Sequence, residues 1–364
     1  MKRRTLLKYF TLAPLTLIGL RFLLKSNPLP KASEMIKKSA NIDLHWPTQD
    51  PFLFCAHHFD HYPAGNENLG LNPSHFVGRN MGSDFEAKDG FRLYHGEEIP
   101  GFPVHPHRGF ETITIVRKGF ADHADSLGAA GRYGEGDVQW MTAGSGVQHS
   151  EMFPLLHQDK ENTLELFQIW LNLPKKNKLV PPDFKMLWSE SIPKIKLDKG
   201  EVSIISGEYG DTTFYEAPQN SWAADPDHQV NILLVKLDKG GTFKYPAKKN
   251  LNRSLYFFNS TSAKLNDETI SGKKALFLDS DGEILISATD SSEFVILEGK
   301  PINEPVVQYG PFVMNSREEI MQTIRDYQLT NFGGWKWQRN DMIHGPEIKR
   351  FAKYPDGRID RPKV

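Results

Sequence analysis

The fold of this chain is decided by two stretches of sequence, PVHPHRGFE at residues 103–111 and GSGVQHSE at residues 144–151. Alternate side chains of a β-strand point to the same face, so His105 and His107 project together from the first stretch. His149 and Glu151 repeat this spacing in the second stretch. If the two strands face each other, they present three nitrogens and one oxygen to a single point, which predicts a metal site.

The ligand types restrict which metal ions can bind here, but several ions remain. Imidazole and carboxylate ligands suit Fe(II), Mn(II), Ni(II), Cu(II) and Zn(II). Four protein ligands on a six-coordinate ion leave two adjacent positions for oxygen or a chelating substrate. Only His228 and His344 lie beyond residue 157, so we expect one metal ion, in the first half of the chain. If the first strand continues past Arg108, Glu111 falls on the metal-facing side as well.

The rest of the chain is dominated by short segments typical of β-strands. Residues 110–116 and 164–171 alternate and are rich in β-branched or apolar side chains, and Gly, Pro, Asn and Asp separate such segments. No alternation of strands with helices is present. A proline-rich patch at residues 173–182 divides the strand-rich region in two. The sequence therefore predicts an all-β protein of two tandem antiparallel barrels of the jelly-roll kind.

One clear helix is predicted near the end of the chain. Ser316 and Glu319 form a capping box, and the residues that follow on one face are Ile320, Met321, Ile324 and Tyr327. The domain organisation that we expect is an export signal or anchor at 1–33, a polar linker at 34–45, the metal-binding barrel at 46–174, the second barrel with the helix at 175–334, and a solvated tail at 335–364.

Charge and cysteine content exclude several classes of function. The chain has 364 residues, 44 of them basic and 45 acidic, for a net charge of −1. Residues 1–40 carry +8 of this and the remainder −9, so the body is acidic and nucleic-acid binding is not expected. Cys55 is the only cysteine, which excludes an intrachain disulfide and a multi-thiolate metal site. We interpret it as a buried small apolar residue.

The basic start of the chain, MKRRTLLKYF, resembles a twin-arginine export signal. Arg3 and Arg4 precede two leucines, Lys8 and an apolar stretch shorter than the roughly 20 residues that a membrane span needs. Lys2 stands where the pattern has Ser or Thr, and Leu6 stands where Phe is more frequent. The resemblance implies that the folded protein, with its metal in place, is exported to the periplasm.

The fate of this signal stays open. No A-x-A cleavage site follows the apolar stretch, and Pro30-Lys31-Ala32 is a poor substitute. The signal could therefore be retained as a membrane anchor, in which case membrane contact is made only through the uncleaved N-terminus. A cytoplasmic protein with an amphipathic extension is the alternative.

The metal stretches belong to a longer pattern that resembles the pirin family of the cupin superfamily. The matching segments extend over about residues 46–332, in this order: DPFL at 50–53, HPHRGFET at 105–112, HADS at 123–126, GDVQWMTAGSG at 136–146, HSEM at 149–152, QIWLNLP at 168–174 and GPFVMN at 310–315. The resemblance implies a bicupin fold, with one metal ion, most often iron, in the N-terminal barrel. Its ligands fall on His105, His107, His149 and Glu151.

The same resemblance suggests two functions. Some bacterial pirins resemble quercetin 2,3-dioxygenases, which implies ring cleavage of a small diphenolic substrate by O₂, with Glu111 or Glu151 as the proton acceptor and no cofactor beyond the metal. Eukaryotic pirins imply instead a metal-dependent binding or regulatory protein that acts on a protein partner without turnover. The nearby His57, His58 and His61 lack a clear period, so we assign them structural or cavity-mouth roles.

Overall fold

The computed structural model describes residues 29–363, and the residues that carry the predicted export signal, up to residue 28, lie outside this range. In chain order the strands are β1 (Ile36–Asn41), β2 (His45–Trp46), β3 (Phe52–Tyr62), β4 (Gly101–His107), β5 (Phe110–Lys118), β6 (Phe120–Asp125), β7 (Ala130–Gly134), β8 (Val138–Thr142), β9 (Val147–Met152), β10 (Asn162–Asn172), β11 (Asp183–Leu187), β12 (Lys194–Leu197), β13 (Gly200–Tyr209), β14 (Thr212–Phe214), β15 (Asn231–Leu237), β16 (Thr242–Tyr245), β17 (Asn252–Ser260), β18 (Ser262–Leu265), β19 (Glu268–Ser271), β20 (Lys274–Asp279), β21 (Ile284–Ala288), β22 (Ser292–Gly299), β23 (Val307–Tyr309), β24 (Phe312–Met314), β25 (Phe351–Lys353) and β26 (Ile359–Asp360).

Helices are few. The α-helices are α1 (Ala32–Met35) and α2 (Arg317–Thr330), and short 3₁₀ turns lie at Pro73–Phe76, Lys175–Asn177, Trp222–Ala224, Pro226–His228 and Asn331–Gly333. Among residues 29–363, no helix is both long enough and apolar enough to cross a membrane. The expectation of an all-β protein with one substantial helix is confirmed.

Each half of the chain forms a unit of two antiparallel sheets. The first unit has the sheets β11-β8-β5-β10-β3-β2 and β26-β25-β7-β6-β9-β4, which share a core that includes Val116, Tyr133 and Leu166. The second unit has β1-β20-β17-β22-β15-β13-β12, with β14 on β13, and β16-β21-β18-β19. The sheets remain separate, so both units are jelly-roll sandwiches rather than closed barrels.

A separate hydrophobic core joins the two units. It packs Ile113, Trp140 and Phe167 of the first unit against residues of the second such as Ile232 and Tyr256, all of them almost fully buried. Alternation explains this surface, because odd-numbered residues of β5 point outward from the first unit while even-numbered ones point into it. Cys55 lies in this joining core, and burial raises the pKa of its thiol, as expected of a structural residue.

Helix α2 begins as predicted, with the expected capping box. The Ser316 hydroxyl accepts a hydrogen bond from the Glu319 amide at 3.2 Å, and the Glu319 carboxylate accepts one from the Ser316 amide at 3.1 Å. The predicted apolar face holds for Ile320 but not for Met321, which is exposed. The helix contacts the first unit, since Asp326 pairs with Arg108 at 2.7 Å. Its grouping with the second barrel stays a prediction.

The structure also corrects both expected connecting segments. The predicted linker at 34–45 contains β1, which pairs with β20 of the second unit; its side chains are polar because an edge strand is bound through its backbone. The boundary at residue 174 is too early, because β11 pairs with β8 of the first unit. The predicted solvated tail packs on the first unit as well, where β25 pairs with β7.

Candidate metal centre

Three histidines meet between two neighbouring strands of the first unit. Strand β4 pairs with β9 so that His105 lies opposite His149, and His107 lies two residues further on the same face. One ring nitrogen from each of the three histidines lies within 4.8 Å of those of the other two. The ring centroids of His105 and His149 are 4.4 Å apart, and that of His107 is 4.7 Å and 4.9 Å from them.

The chemistry of these histidines fits a divalent metal ion. Desolvation lowers the pKa of His105 to about 4 and the pKa values of His107 and His149 well below the ordinary value, so all three rings are neutral and carry free lone pairs. Both ring nitrogens of His149 and Nδ1 of His107 are buried without a hydrogen-bond partner among the described residues. Such orphaned groups cost about 1–3 kcal/mol each, a cost that coordination removes.

The tautomer of His105 is fixed by the backbone. Its Nδ1 lies 2.8 Å from the carbonyl oxygen of Pro103, which accepts a hydrogen bond from Nδ1–H and leaves Nε2 free for a metal.

Glu151 lines the same cavity but is not one of the converging groups. Its Oε1 lies 2.7 Å from the Thr114 hydroxyl and 3.1 Å from that of Tyr133, and its Oε2 accepts from Gln168 at 3.2 Å. Burial raises the pKa of this carboxyl although these hydrogen bonds oppose the shift. Its role as the fourth metal ligand stays a prediction.

The structure corrects the placement of Glu111. The ligand strand ends at His107, and the turn at Arg108-Gly109 restarts the alternation, so Glu111 faces the core between the two units. Its Oε2 accepts a short hydrogen bond from Trp140 Nε1, and burial raises its pKa to about 8 although the hydrogen bonds from Trp140 and Ser221 oppose the shift. Glu111 does not line the metal-site cavity, so its expected catalytic role is withdrawn.

That turn is held from three sides. Gly109 has φ +85°, and a Cβ there would lie 2.0 Å from the Val313 carbonyl oxygen, so only glycine fits. The buried Lys178 ammonium donates to the Gly109 carbonyl at 2.8 Å. Arg108 donates to the Ser145 carbonyl at 2.6 Å and to Asp326 of α2. The junction between the units and helix α2 therefore both fix the end of the ligand strand.

The tail closes the outer edge of the ligand sheet. The Asn340 carbonyl accepts from the Val104 amide at 2.8 Å, next to the first ligand histidine. His344 contacts the carbonyl oxygen of His123 through Nε2 at 2.7 Å, and its amide donates to Asp122 at 2.8 Å. The tail is not solvated because it satisfies buried polar groups of strand β6.

A cavity of about 500 Å³ opens from the histidines and is largely aromatic. Its apolar walls include Phe54, Phe85, Phe102, Phe153 and Trp170, and its polar groups are Thr114, Glu151, Gln168 and five histidines, His45, His58, His95, His105 and His107. No lysine or arginine is among the lining residues of the described chain. A concave apolar site with a few polar groups is typical of small-molecule binding.

Comparison with known proteins assigns the family. The Pirin family matches residues 68–171, and the Pirin C-terminal cupin domain matches residues 232–333. The chain belongs to the pirin family. Pirin of Rattus norvegicus is 33% identical over 277 residues, which cover 74% of this chain and 90% of that one.

Two further relatives of this pirin carry a dioxygenase name. A protein of Pseudomonas aeruginosa, named provisionally as a quercetin 2,3-dioxygenase, is 38% identical over 234 residues, covering 63% of this chain and 79% of its own. The crystal structure of quercetin 2,3-dioxygenase from Acinetobacter baumannii superposes with a TM-score of 0.66 at 27% identity, covering 82% of this chain and 98% of its own.

Sequence reasoning missed the residues that support this pirin's site. Thr114 and Gln168 could have been found, because they alternate with core residues on β5 and β10 and so point inward. Tyr133 and the tail carry no comparable signal, since a buried tyrosine or a distant carbonyl becomes a site residue only through the folded geometry.

Proposed function

We propose that this pirin is a metal-dependent oxygenase that cleaves an aromatic ring of an uncharged diphenolic substrate of the quercetin type. The observation that carries the proposal is the neutral His105–His107–His149 cluster, of which His105 and His107 line an aromatic cavity. The likeness to the quercetin 2,3-dioxygenase structure supports it. A diphenol other than quercetin satisfies the same argument.

The metal that we propose is iron(II), with Mn, Ni, Cu and Zn as alternatives, held by the three histidines with Glu151 as the fourth ligand. Bound there, such an ion supplies the Lewis acidity and electron transfer that reaction of O₂ with a phenol requires. The chain's own part is to keep the three imidazoles neutral and to orient them from paired strands.

Glu151 is the group that we propose to accept the substrate's hydroxyl proton. Within residues 29–363 it is the only carboxylate that lines the cavity, and Glu111 faces the joining core instead. In the metal-free chain desolvation raises the pKa of this carboxyl, which favours proton uptake by it. Thr114 and Gln168 hold the carboxylate in place, so the proton transfer needs no large movement.

The aromatic walls bind the substrate and exclude water. Trp170 lies 5.6 Å from His107, ring to ring, and 5.1 Å from Phe54, so flat apolar surfaces border the cluster. Because no lysine or arginine of the described residues lines the cavity, a carboxylate away from the proposed metal ion would have no fixed positive charge to pair with, which favours a neutral phenol.

The oxygen electrode tests this proposal. Iron-loaded protein is expected to consume O₂ and bleach quercetin, and His107→Ala and His149→Ala are expected to do neither. Full iron loading without turnover on several flavonols and catechols would favour the alternative, a metal-dependent binding or regulatory protein.

We further propose that the chain is exported to the periplasm and keeps its N-terminal segment. Ala32 and Met35 are buried against the second unit, and the Ala32 amide donates to Asp267 at 2.9 Å. A cut after Ala32 would therefore have to reach a buried bond in the folded protein. A fusion of residues 1–28 to a reporter that is active only after export tests whether this segment directs export. The Arg3→Lys/Arg4→Lys double variant of the fusion should have no reporter activity.

A further inference from the structure

His58 is a buried histidine in the cavity wall with unused hydrogen-bonding capacity. It lies on β3 opposite Leu166, with 4% of its surface exposed. Its Nδ1 is fully enclosed and has no hydrogen-bond partner among the described residues. The preceding histidine, His57, points to the other face and is satisfied by Glu165 at 3.1 Å. Of these two histidines only His58 lines the cavity, and only His58 has a ring nitrogen that no described residue pairs.

The position of His58 is set by two aromatic rings. Tyr94 at 4.8 Å and Phe102 at 6.0 Å stand edge-on to the imidazole. Phe102 also lies 6.3 Å from His105. Phe102 thus borders both His58 and His105, and the two histidines line one cavity, so a flat ligand that fills this cavity contacts both.

The chemistry of the imidazole selects the ligand group. Burial lowers the pKa of His58 to about 3, so the ring is neutral and offers one donor and one acceptor. A neutral imidazole among apolar rings suits a hydroxyl, which both donates and accepts, and disfavours a carboxylate.

We propose that His58 is a specificity-determining residue that hydrogen-bonds a peripheral hydroxyl of a polyphenol whose other end lies at the histidine cluster. The inference rests on the proposed function for the choice of substrate class. The inference goes beyond the proposed function because it assigns recognition of the far end of the substrate to one residue outside the metal site.

The test is a binding measurement that needs no turnover. The full chain is loaded with iron under strict exclusion of O₂ and titrated calorimetrically with quercetin and with 3-hydroxyflavone, which keeps the chelating oxygens but lacks the peripheral hydroxyls. Wild-type protein should bind quercetin about five- to tenfold more tightly than 3-hydroxyflavone, as one satisfied hydrogen bond implies. His58→Phe should reduce this ratio to below about twofold without weakening 3-hydroxyflavone.

Two further variants keep the test decisive. His58→Gln retains a donor and an acceptor and should restore part of the ratio, which a purely structural role would not do. His61→Phe removes an exposed histidine of the same strand, which contacts Glu161 at 2.7 Å and does not line the cavity, and it should leave the ratio unchanged. Melting temperatures of all variants show whether each has folded.

The outcomes separate this inference from the proposed function. An undiminished ratio in folded His58→Phe overturns the role of His58 alone, and so does a ratio in folded His58→Gln that is no higher than in His58→Phe. The predicted ratios without O₂ consumption in air overturn the oxygenase and leave the recognition role standing. Failure of wild-type protein to bind either flavonol overturns both.

Discussion

Replacing Glu111 by Gln should remove a pH dependence of stability without removing activity. The folded pKa of this carboxyl is about 8, against an ordinary value of 4.5, because it is buried between the two units. Below pH 4.5 it is protonated in both the folded and the unfolded chain. Between pH 4.5 and 8 this carboxyl ionises only in the unfolded chain. The free energy of unfolding therefore falls by about 1.4 kcal/mol per pH unit as the pH rises, up to a total of about 5 kcal/mol.

The assay is urea unfolding of metal-free protein at pH 5.5, 6.5 and 7.5. The advantage of Glu111→Gln over wild type should grow by about 1.4 kcal/mol per pH unit across this range, and the iron-loaded variant should keep its rate of O₂ uptake. Glu165→Gln is the matched control. Although burial opposes the shift, the His57 hydrogen bond and the Arg117 charge hold the pKa of Glu165 at about 2.

Glu165→Gln should change the free energy of unfolding in the opposite direction. Glu165 stabilises the fold above pH 4.5 and this contribution is lost as the pH falls from 4.5 towards 2, so Glu165→Gln should cost up to about 3 kcal/mol at neutral pH, with no trend between pH 5.5 and 7.5. A flat difference for Glu111→Gln, or a loss of turnover in that variant, would refute the placement of Glu111 in the joining core.

The other predictions concern the metal site and its supports. His149→Ala should lower the iron affinity by more than about tenfold while leaving the fold intact, as measured by metal analysis after dialysis and by circular dichroism. Ending the chain after Gly334 should destabilise the first unit by at least about 3 kcal/mol in urea unfolding, because several hydrogen bonds to buried groups and the β25–β7 pairing are lost; an unchanged midpoint would show that the tail is dispensable. Gly109→Ala should lower both the melting temperature and the iron affinity, because its Cβ would overlap the Val313 carbonyl. Gly272→Ala is the control, since no atom lies within 4 Å of a Cβ there. That change should lower the melting temperature through backbone strain alone and leave the iron affinity unchanged.

The sequence predicts the histidine cluster because the information is local. The spacing of two residues within a strand places His105 and His107 on one face. The pairing of this strand with the next ligand strand then brings His149 beside them. The same local logic fails at Glu111, because a single glycine turn restarts the alternation and reverses the direction of the side chain. The helix cap at Ser316 is likewise local and is confirmed.

The errors at the ends of the chain have a different cause. Strand β1 and the tail look polar and irregular because they bind the body through backbone groups and a few side chains rather than through an apolar face. Which barrel covers such a segment depends on the edge that remains unpaired, and that is decided by the fold as a whole. Helix α2 illustrates the same limit, since its cap predicts the helix and says nothing of the unit on which it packs.

The most direct test of the central claim is the stoichiometry of O₂ uptake against flavonol loss in iron-loaded protein. We expect one iron per chain and one O₂ consumed for each quercetin bleached, with neither O₂ uptake nor bleaching in His107→Ala or His149→Ala. A protein that carries one iron per chain and consumes no O₂ with any flavonol or catechol would contradict the central claim.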